Sequence, residues 1–177
     1  PMLGITPRDL TLQDARAIAR NREVELVAPI SVGSAPVARG NLDRESTIVG
    51  STAELLPVRR LNMAEGRFLP AGKPELARPV VVLGATLKRE LFGDERALGR
   101  WLRIGDRRFR VIGVLARRGE SLGLDMSEIA IVPVASAQAL FNRLSMFRIL
   151  VQARGRDAIY LAKESILEII RGRHDGE

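Results

Sequence analysis

The stretch Trp101-Leu-Arg-Ile-Gly-Asp-Arg-Arg-Phe-Arg-Val-Ile-Gly-Val-Leu115 decides the fold class. Two runs rich in aromatic and β-branched residues flank Gly105-Asp106. A Gly-Asp pair between such runs predicts a β-hairpin, because the turn needs residues that tolerate positive φ. Trp101, Ile104, Phe109, Val111, Ile112 and Val114 supply its apolar positions, so Trp101 and Phe109 are expected in the core. Arg103, Arg107, Arg108 and Arg110 fall near the tip and on the outer face.

Upstream, residues 80–83 are a β-branched run with polar limits, which predicts a buried strand. Gly84 ends it, and 85–91 reads as a helix of two turns. Residues 63–74, with two glycines and two prolines, read as a loop, and 53–61 as a short helix with Pro57 in its first turn. Residues 47–50 form a short strand. A strand at 24–30 carries Pro29, which removes a ladder donor and marks an edge or a bulge. The chain stays extended over 34–39 and turns at Gly40-Asn41. Before it, Thr11 and Asp14 have the spacing of a capping box, followed by an apolar stripe of Leu12, Ala15, Ile18 and Ala19.

Downstream, 117–123 is a loop and 129–134 a buried strand. Residues 135–144 form a helix capped by Ser136, and 147–152 a strand. Asp157 caps a last helix over 157–171, with Ile159, Ala162, Ile166 and Ile169 at helical spacing and Gly172 as its stop. Its cations Arg154, Arg156, Lys163, Arg171 and Arg173 are expected outside. This mixed order predicts an α+β fold with strands that need not be sequential neighbours.

Composition narrows the functions. The chain has 177 residues, 46% of them hydrophobic, enough to bury a core. Aromatics make up only 4%, so that core rests on Val, Ile, Leu and Ala. The absence of cysteine excludes a disulfide framework and a thiolate zinc site. No apolar run approaches the roughly 18 residues a membrane helix needs. The first ten residues lack the pattern of a signal peptide, and the chain reads as an excised piece of a longer protein.

Chemistry is scarce. The one histidine, His174, stands in a polar tail and is expected to be solvated, so neither a proton-transfer pair nor a metal set is expected. Asp125, Ser127 and Glu128 form a small acidic cluster, read as a turn closing on its own amides. Gly84-Ala85-Thr86, a glycine between strand and helix, has the outline of an anion cradle without the glycine pattern of one. The net charge of +7 raises nucleic acid as an alternative partner, centred on Arg107 and Arg108. That alternative is weakened because Trp101 and Phe109 are expected inside rather than outward for stacking.

Several stretches in order resemble the MacB-type periplasmic core domain of ABC-transporter permeases. They are Val24-Glu-Leu-Val-Ala-Pro29, Val49-Gly-Ser-Thr52, Glu65-Gly-Arg-Phe68, Val80-Val-Val-Leu-Gly84 and Leu91-Phe-Gly93. They continue with Gly99-Arg-Trp-Leu-Arg-Ile-Gly105, Phe109-Arg-Val-Ile-Gly-Val114, Gly119, Ile129 to Pro133, Ala137-Gln138 and Arg171-Gly-Arg-His174. Asp125, Ser127 and Glu128 depart from the adjacent aspartates the family tends to carry there.

The resemblance implies a porter-like α+β subdomain from residues 1–42 and 127–177, with a small α/β Sabre-like subdomain inserted at 43–126. It implies a non-catalytic domain on the periplasmic side of the inner membrane, without cofactor or metal. Flanking membrane helices, a cytoplasmic ATPase domain, a second permease copy and a periplasmic adaptor or lipoprotein would be its partners, and nucleic acid would not. Its role would be to transmit ATP-driven change in export or lipoprotein release. The chain should then enter near Thr6 and leave near Gly172 on one side of the molecule.

Overall fold

The computed structural model describes residues 2–5, 10–117, 120–121, 124–142, 148–155, 169–170 and 173. Strand β1 (Met2–Ile5) precedes helix α1 (Leu12–Ala19), whose capping box forms as the spacing predicts. The Asp14 amide donates to Thr11 Oγ1 at 3.2 Å and the Thr11 amide donates to Asp14 Oδ2 at 2.9 Å. Two strands follow, β2 (Val24–Arg39) and β3 (Leu42–Ser51), joined at Gly40-Asn41 with Gly40 at a φ of 60°. Helix α2 (Leu55–Val58) and strand β4 (Met63–Gly66) come next. They lead to β5 (Val80–Leu83), α3 (Ala85–Phe92), β6 (Trp101–Ile104) and β7 (Arg107–Leu115). Short strands β8 (Glu120–Ser121) and β9 (Leu124–Asp125) precede β10 (Ala130–Pro133), α4 (Val134–Phe141) and β11 (Arg148–Ala153).

Strand β2 carries two different neighbours along one length. Val24 to Ile30 pair antiparallel with β11, which in turn pairs antiparallel with β1. Ser31 to Arg39 pair antiparallel with β3. Pro29, the residue without an amide hydrogen, stands just before this exchange of partners, and the Ser51 hydroxyl donates to its carbonyl at 2.8 Å. The expected pair of shorter extended segments is therefore one strand of 16 residues.

From β3 the sheet passes in parallel to β10, antiparallel to β5 and in parallel to β7. The hairpin then returns it: β7 pairs with β6, and β6 pairs with β2 at Val37 and Ala38. These pairings close a ring of six strands. Its inner face is apolar (Val37, Ile48, Val81, Ile104, Phe109), and Leu87 and Leu91 of α3 and Ala137 of α4 complete that core. On the opposite face, Val49, Val82 and Ile131 meet Leu55 of α2 together with Phe68 and Leu69. A third cluster joins Leu10, Ala15 and Ile18 to Val27, Val151 and Ile170. The architecture is the mixed α+β class that the element order predicts.

Several expectations are corrected. The loop expected at 63–74 contains β4, which pairs antiparallel with β7. The loop expected at 117–123 contributes Glu120 and Ser121 to the pairing of β8 with β9. Ser136 does not cap α4. Pro133 occupies that position without a side-chain bond, and Ser136 Oγ donates to the Arg78 carbonyl at 2.8 Å. Trp101 is not core: it is 45% exposed, whereas Phe109 is buried. The alternation explains this, since Leu102 opposes Phe109 across the hairpin while Trp101 opposes Arg110. Of the last expected helix, residues 169, 170 and 173 are helical, and 157–168, Arg171 and Gly172 lie outside the described residues.

The facing of the hairpin can be measured. In chemical denaturation, Phe109→Ala should cost about 3–5 kcal/mol, the range for deleting a buried aromatic ring. Trp101→Ala should stay within about 1 kcal/mol, as for a surface position. The reverse order of effects would show that the register is shifted by one residue.

Candidate functional site

Among the described residues, no three His, Cys, Asp or Glu side chains are placed to hold a metal ion. His174, Arg156, Lys163 and Arg171 lie outside the described residues. Three other places hold the polar residues singled out by sequence.

The first is the turn before β10. Asp125 Oδ1 accepts from the Ser127 hydroxyl at 2.6 Å and from the Ser127 amide at 2.9 Å. These two bonds, the hydroxyl first, hold the Asp125 carboxyl below its ordinary value of 3.8, against a small opposing effect of burial. Glu128 is exposed. The same turn settles the fate of Gly84-Ala85-Thr86. The Ser127 carbonyl accepts from the Thr86 and Leu87 amides at 2.9 and 3.1 Å. The amides that would cradle an anion at the start of α3 are thus occupied by the chain itself. Gly84 is required here by space: a Cβ would stand 2.4 Å from the Met126 and Ser127 carbonyl oxygens.

The second place is the junction of α1 with the end of the chain. Asp14 is 1% exposed. Besides closing its capping box, it accepts from Arg173 Nε at 2.6 Å, and Arg173 Nη2 donates to Gln13 Oε1 at 3.2 Å. Ile170 is buried in the cluster with Ala15 and Ile18. Arg173, expected free in solvent, instead ties the end of the chain to the first helix. Arg154 stays exposed, as expected, with its Nε donating to the Arg22 carbonyl at 2.8 Å. Beside α1 an open cleft of about 940 Å³ runs between Gln13 and Arg16 on one side and Lys73 and Glu75 on the other, crossed by an Arg16–Glu75 ion pair.

The third place is the outer face of the β6–β7 hairpin. Arg107 is exposed at the tip opposite Ile104, and Arg103, Arg108 and Arg110 are exposed on this face, as predicted. Trp101 joins them there, with the Arg108 guanidinium 4.8 Å from its ring centroid. Such a stack is worth about 0.5–1 kcal/mol at an exposed site. Sequence reasoning missed this pairing by placing Trp101 and Ile104, three residues apart, on one face. A period of two separates them.

The comparisons with known proteins agree with one another. The chain matches the family described as the MacB-like periplasmic core domain over residues 2–169. It is 28% identical over 171 residues to the pyoverdine export ATP-binding/permease protein PvdT of Pseudomonas syringae pv. syringae (strain B728a), covering 95% of this chain and 26% of that protein. It is 33% identical over 171 residues to the macrolide export ATP-binding/permease protein MacB of Nitrobacter winogradskyi, covering 95% and 26%. The chain thus spans about a quarter of the length of the curated relatives it matches. In fold it is similar to the periplasmic region of MacB from Actinobacillus actinomycetemcomitans, with a TM-score of 0.83 at 24% identity over 97% of this chain and 77% of that one. The extracellular domain of the noncanonic ABC-type transporter YknZ from Gram-positive bacteria gives a TM-score of 0.83 at 18% identity over 99% and 94%.

Two measurements check the turn. Gly84→Ala should destabilise the fold by about 3 kcal/mol, the upper range for forcing atoms into a packed site. In an NMR titration, Ser127→Ala should move the Asp125 pKa upward, but not fully to its ordinary value, because the backbone amide of residue 127 still donates to the carboxylate. A carboxyl held low in the fold contributes stability above that value and loses it as pH falls through the folded pKa. The variant should therefore give up part of its acid-range dependence. An unchanged Asp125 titration would refute the role given to Ser127.

Proposed function

The chain belongs to the family of MacB-like periplasmic core domains, and from that premise we propose that it is the mechanical transmitter of an ABC-transporter permease. It is the extracytoplasmic domain of a membrane protein of that family. In the proposed reading it stands between two membrane helices of an inner-membrane protein. ATP is hydrolysed by a cytoplasmic domain elsewhere in the complex, and a second permease copy completes the pair. The domain itself performs no chemistry. It passes motion of the membrane helices to a substrate or to a periplasmic adaptor or lipoprotein, in export or in lipoprotein release. No helix among the described residues is long and apolar enough to cross a membrane. Neither the family match nor the relatives named above support the nucleic-acid alternative.

One observation carries the reading. β2 is a continuous strand of 16 residues that bonds at one end to β11 and at the other to β3 and β6. The described ends of the chain gather at the first of these ends: β1 pairs with β11, and Ile170 packs against Val151 and Val27. A displacement delivered there moves β2 as a rod. The proposed division follows the same line. Residues 1–42 and 127–177 form the porter-like subdomain and 43–126 the inserted Sabre-like one. β10, hydrogen-bonded between β3 and β5, is then a seam that joins the two without a hinge.

The reading is tested on the full-length protein. Protease added outside spheroplasts should cut this domain, and protease added to inside-out vesicles should leave it intact. The opposite pattern would sink the assignment. In the same protein, Arg173→Gln takes one cation away from the nearly buried Asp14 carboxylate. Removing one partner of a buried pair costs about 3–5 kcal/mol, reduced here because the Arg173 side chain is 36% exposed. Basal ATP hydrolysis should persist while export of a macrolide or siderophore probe falls on the order of tenfold, about 1.4 kcal/mol in transmitted free energy. Equal loss of hydrolysis and export would remove Arg173 from transmission.

A further inference from the structure

We infer that the outer face of the β6–β7 hairpin is a docking surface for a second protein that presents carboxylates around an apolar contact. The inference deepens the proposed function and rests on the extracytoplasmic placement it assigns. The first observation is the composition of the face. Arg103, Arg108 and Arg110 are exposed on it, and none has an ion-pair partner among the described residues. By register they share this face with Trp101, 45% exposed. Leu42, 49% exposed, stands at the β2–β3 turn beside the same end of β2. Tryptophan and arginine are the residues most enriched among those that dominate binding free energy at protein interfaces.

The second observation is charge. Three guanidinium groups with no ion-pair partner among the described residues repel one another weakly in solvent and gain when carboxylates approach. Each offers a planar fork that matches a carboxylate with two hydrogen bonds. Arg108 over Trp101 adds a preorganised platform. Self-association across this face is disfavoured by the same charges. A twofold interface places a patch upon itself and would set arginine against arginine.

The third observation is position, which decides against lipid. The described residues at the two ends of the chain gather around Val27, where β11 pairs with both β2 and β1. The hairpin meets β2 at Ala38, eleven residues further along the strand. At about 3.3 Å per residue that is roughly 36 Å of strand. Anionic headgroups at the membrane that holds the chain ends would be several Debye lengths away, each about 8 Å at physiological salt.

The test uses the full-length protein in its own cells. A photo-crosslinking amino acid replaces Asp106, at the hairpin tip, and in a control Leu76, exposed on the loop before β5. Irradiation should join the Asp106 position to another protein, through a peptide containing Asp or Glu, and the Leu76 position should not give that adduct. Trp101→Ala, and separately Arg108→Glu with Arg110→Glu, should reduce the adduct on the order of tenfold, as hot-spot losses do. Arg108→Lys with Arg110→Lys keeps the charge and should retain most of it. If the glutamate pair does not fold, Trp101→Ala and the lysine pair carry the decision. No protein adduct, an adduct with lipid, nucleic acid or a second copy of this chain, or an adduct indifferent to these substitutions would overturn the inference. Fractionating the same cells separates the two proposals. A membrane-bound protein without the adduct loses the docking surface alone, and a soluble protein with the adduct loses the permease reading alone.

Discussion

The hydrogen bonds on either side of β2 are the constraint on which the other elements depend. A strand of 16 residues is about three times the usual length, and it survives only because its backbone groups find partners throughout. β11 satisfies one edge over Val24 to Ile30, β3 satisfies the other from Ser31 onward, and β6 reaches Val37 and Ala38 near the tip. The exchange falls beside Pro29, where no amide hydrogen is lost, and Ser51, itself buried, ties β3 to that carbonyl. Without that exchange the α1 cluster and the six-stranded ring would be separate bodies joined by a linker.

The ring depends in turn on one short contact. β6 has four residues, and its register with β2 involves two of them. The Gly105 amide adds a bond to the Pro36 carbonyl at 2.9 Å, so the turn itself is anchored to β2. What holds the hairpin in place is therefore the burial of Leu102, Ile104, Phe109 and Val111 on its inner face rather than the number of its hydrogen bonds to β2. The outer face is left without structural duties. That freedom lets three arginines and a tryptophan occupy it without a cost to folding.

Much of this was legible in the sequence because local signals and long-range pairing agree there. The hairpin, the 80–83 strand with its helix, the capping box of α1 and the Gly40-Asn41 turn are each specified by adjacent residues. The misses have a common physical origin. The first half of β3 is Leu-Asp-Arg-Glu, whose charges hide a strand that exists because β2 lies beside it. β4 and β1 are four-residue strands recruited by β7 and β11, and nothing local announces them. Ser136 lost its cap role because Pro133 already occupies the N-cap and the Arg78 carbonyl needed a donor. At the candidate sites, the turn reading of Asp125 was available from Asx chemistry alone. The Asp14–Arg173 pair, 159 residues apart, was not.

That long-range pair shows how two distant segments acquire a fixed relative position. Asp14 sits at the start of α1, where a carboxylate is already favoured by the free amides and by the helix dipole. Burial would penalise it if those were its only partners. Arg173 removes the penalty, and in doing so fixes where the chain leaves the fold relative to where α1 begins. Net attraction in such a pair is small, because desolvation offsets most of it. Its positional effect is larger, because breaking it takes the Arg173 cation away from a buried carboxylate. A contact with little intrinsic stability and a high cost of misplacement is suited to carrying displacement. It holds two segments in one relative position across small motions, and it signals loss of that position by a steep rise in free energy.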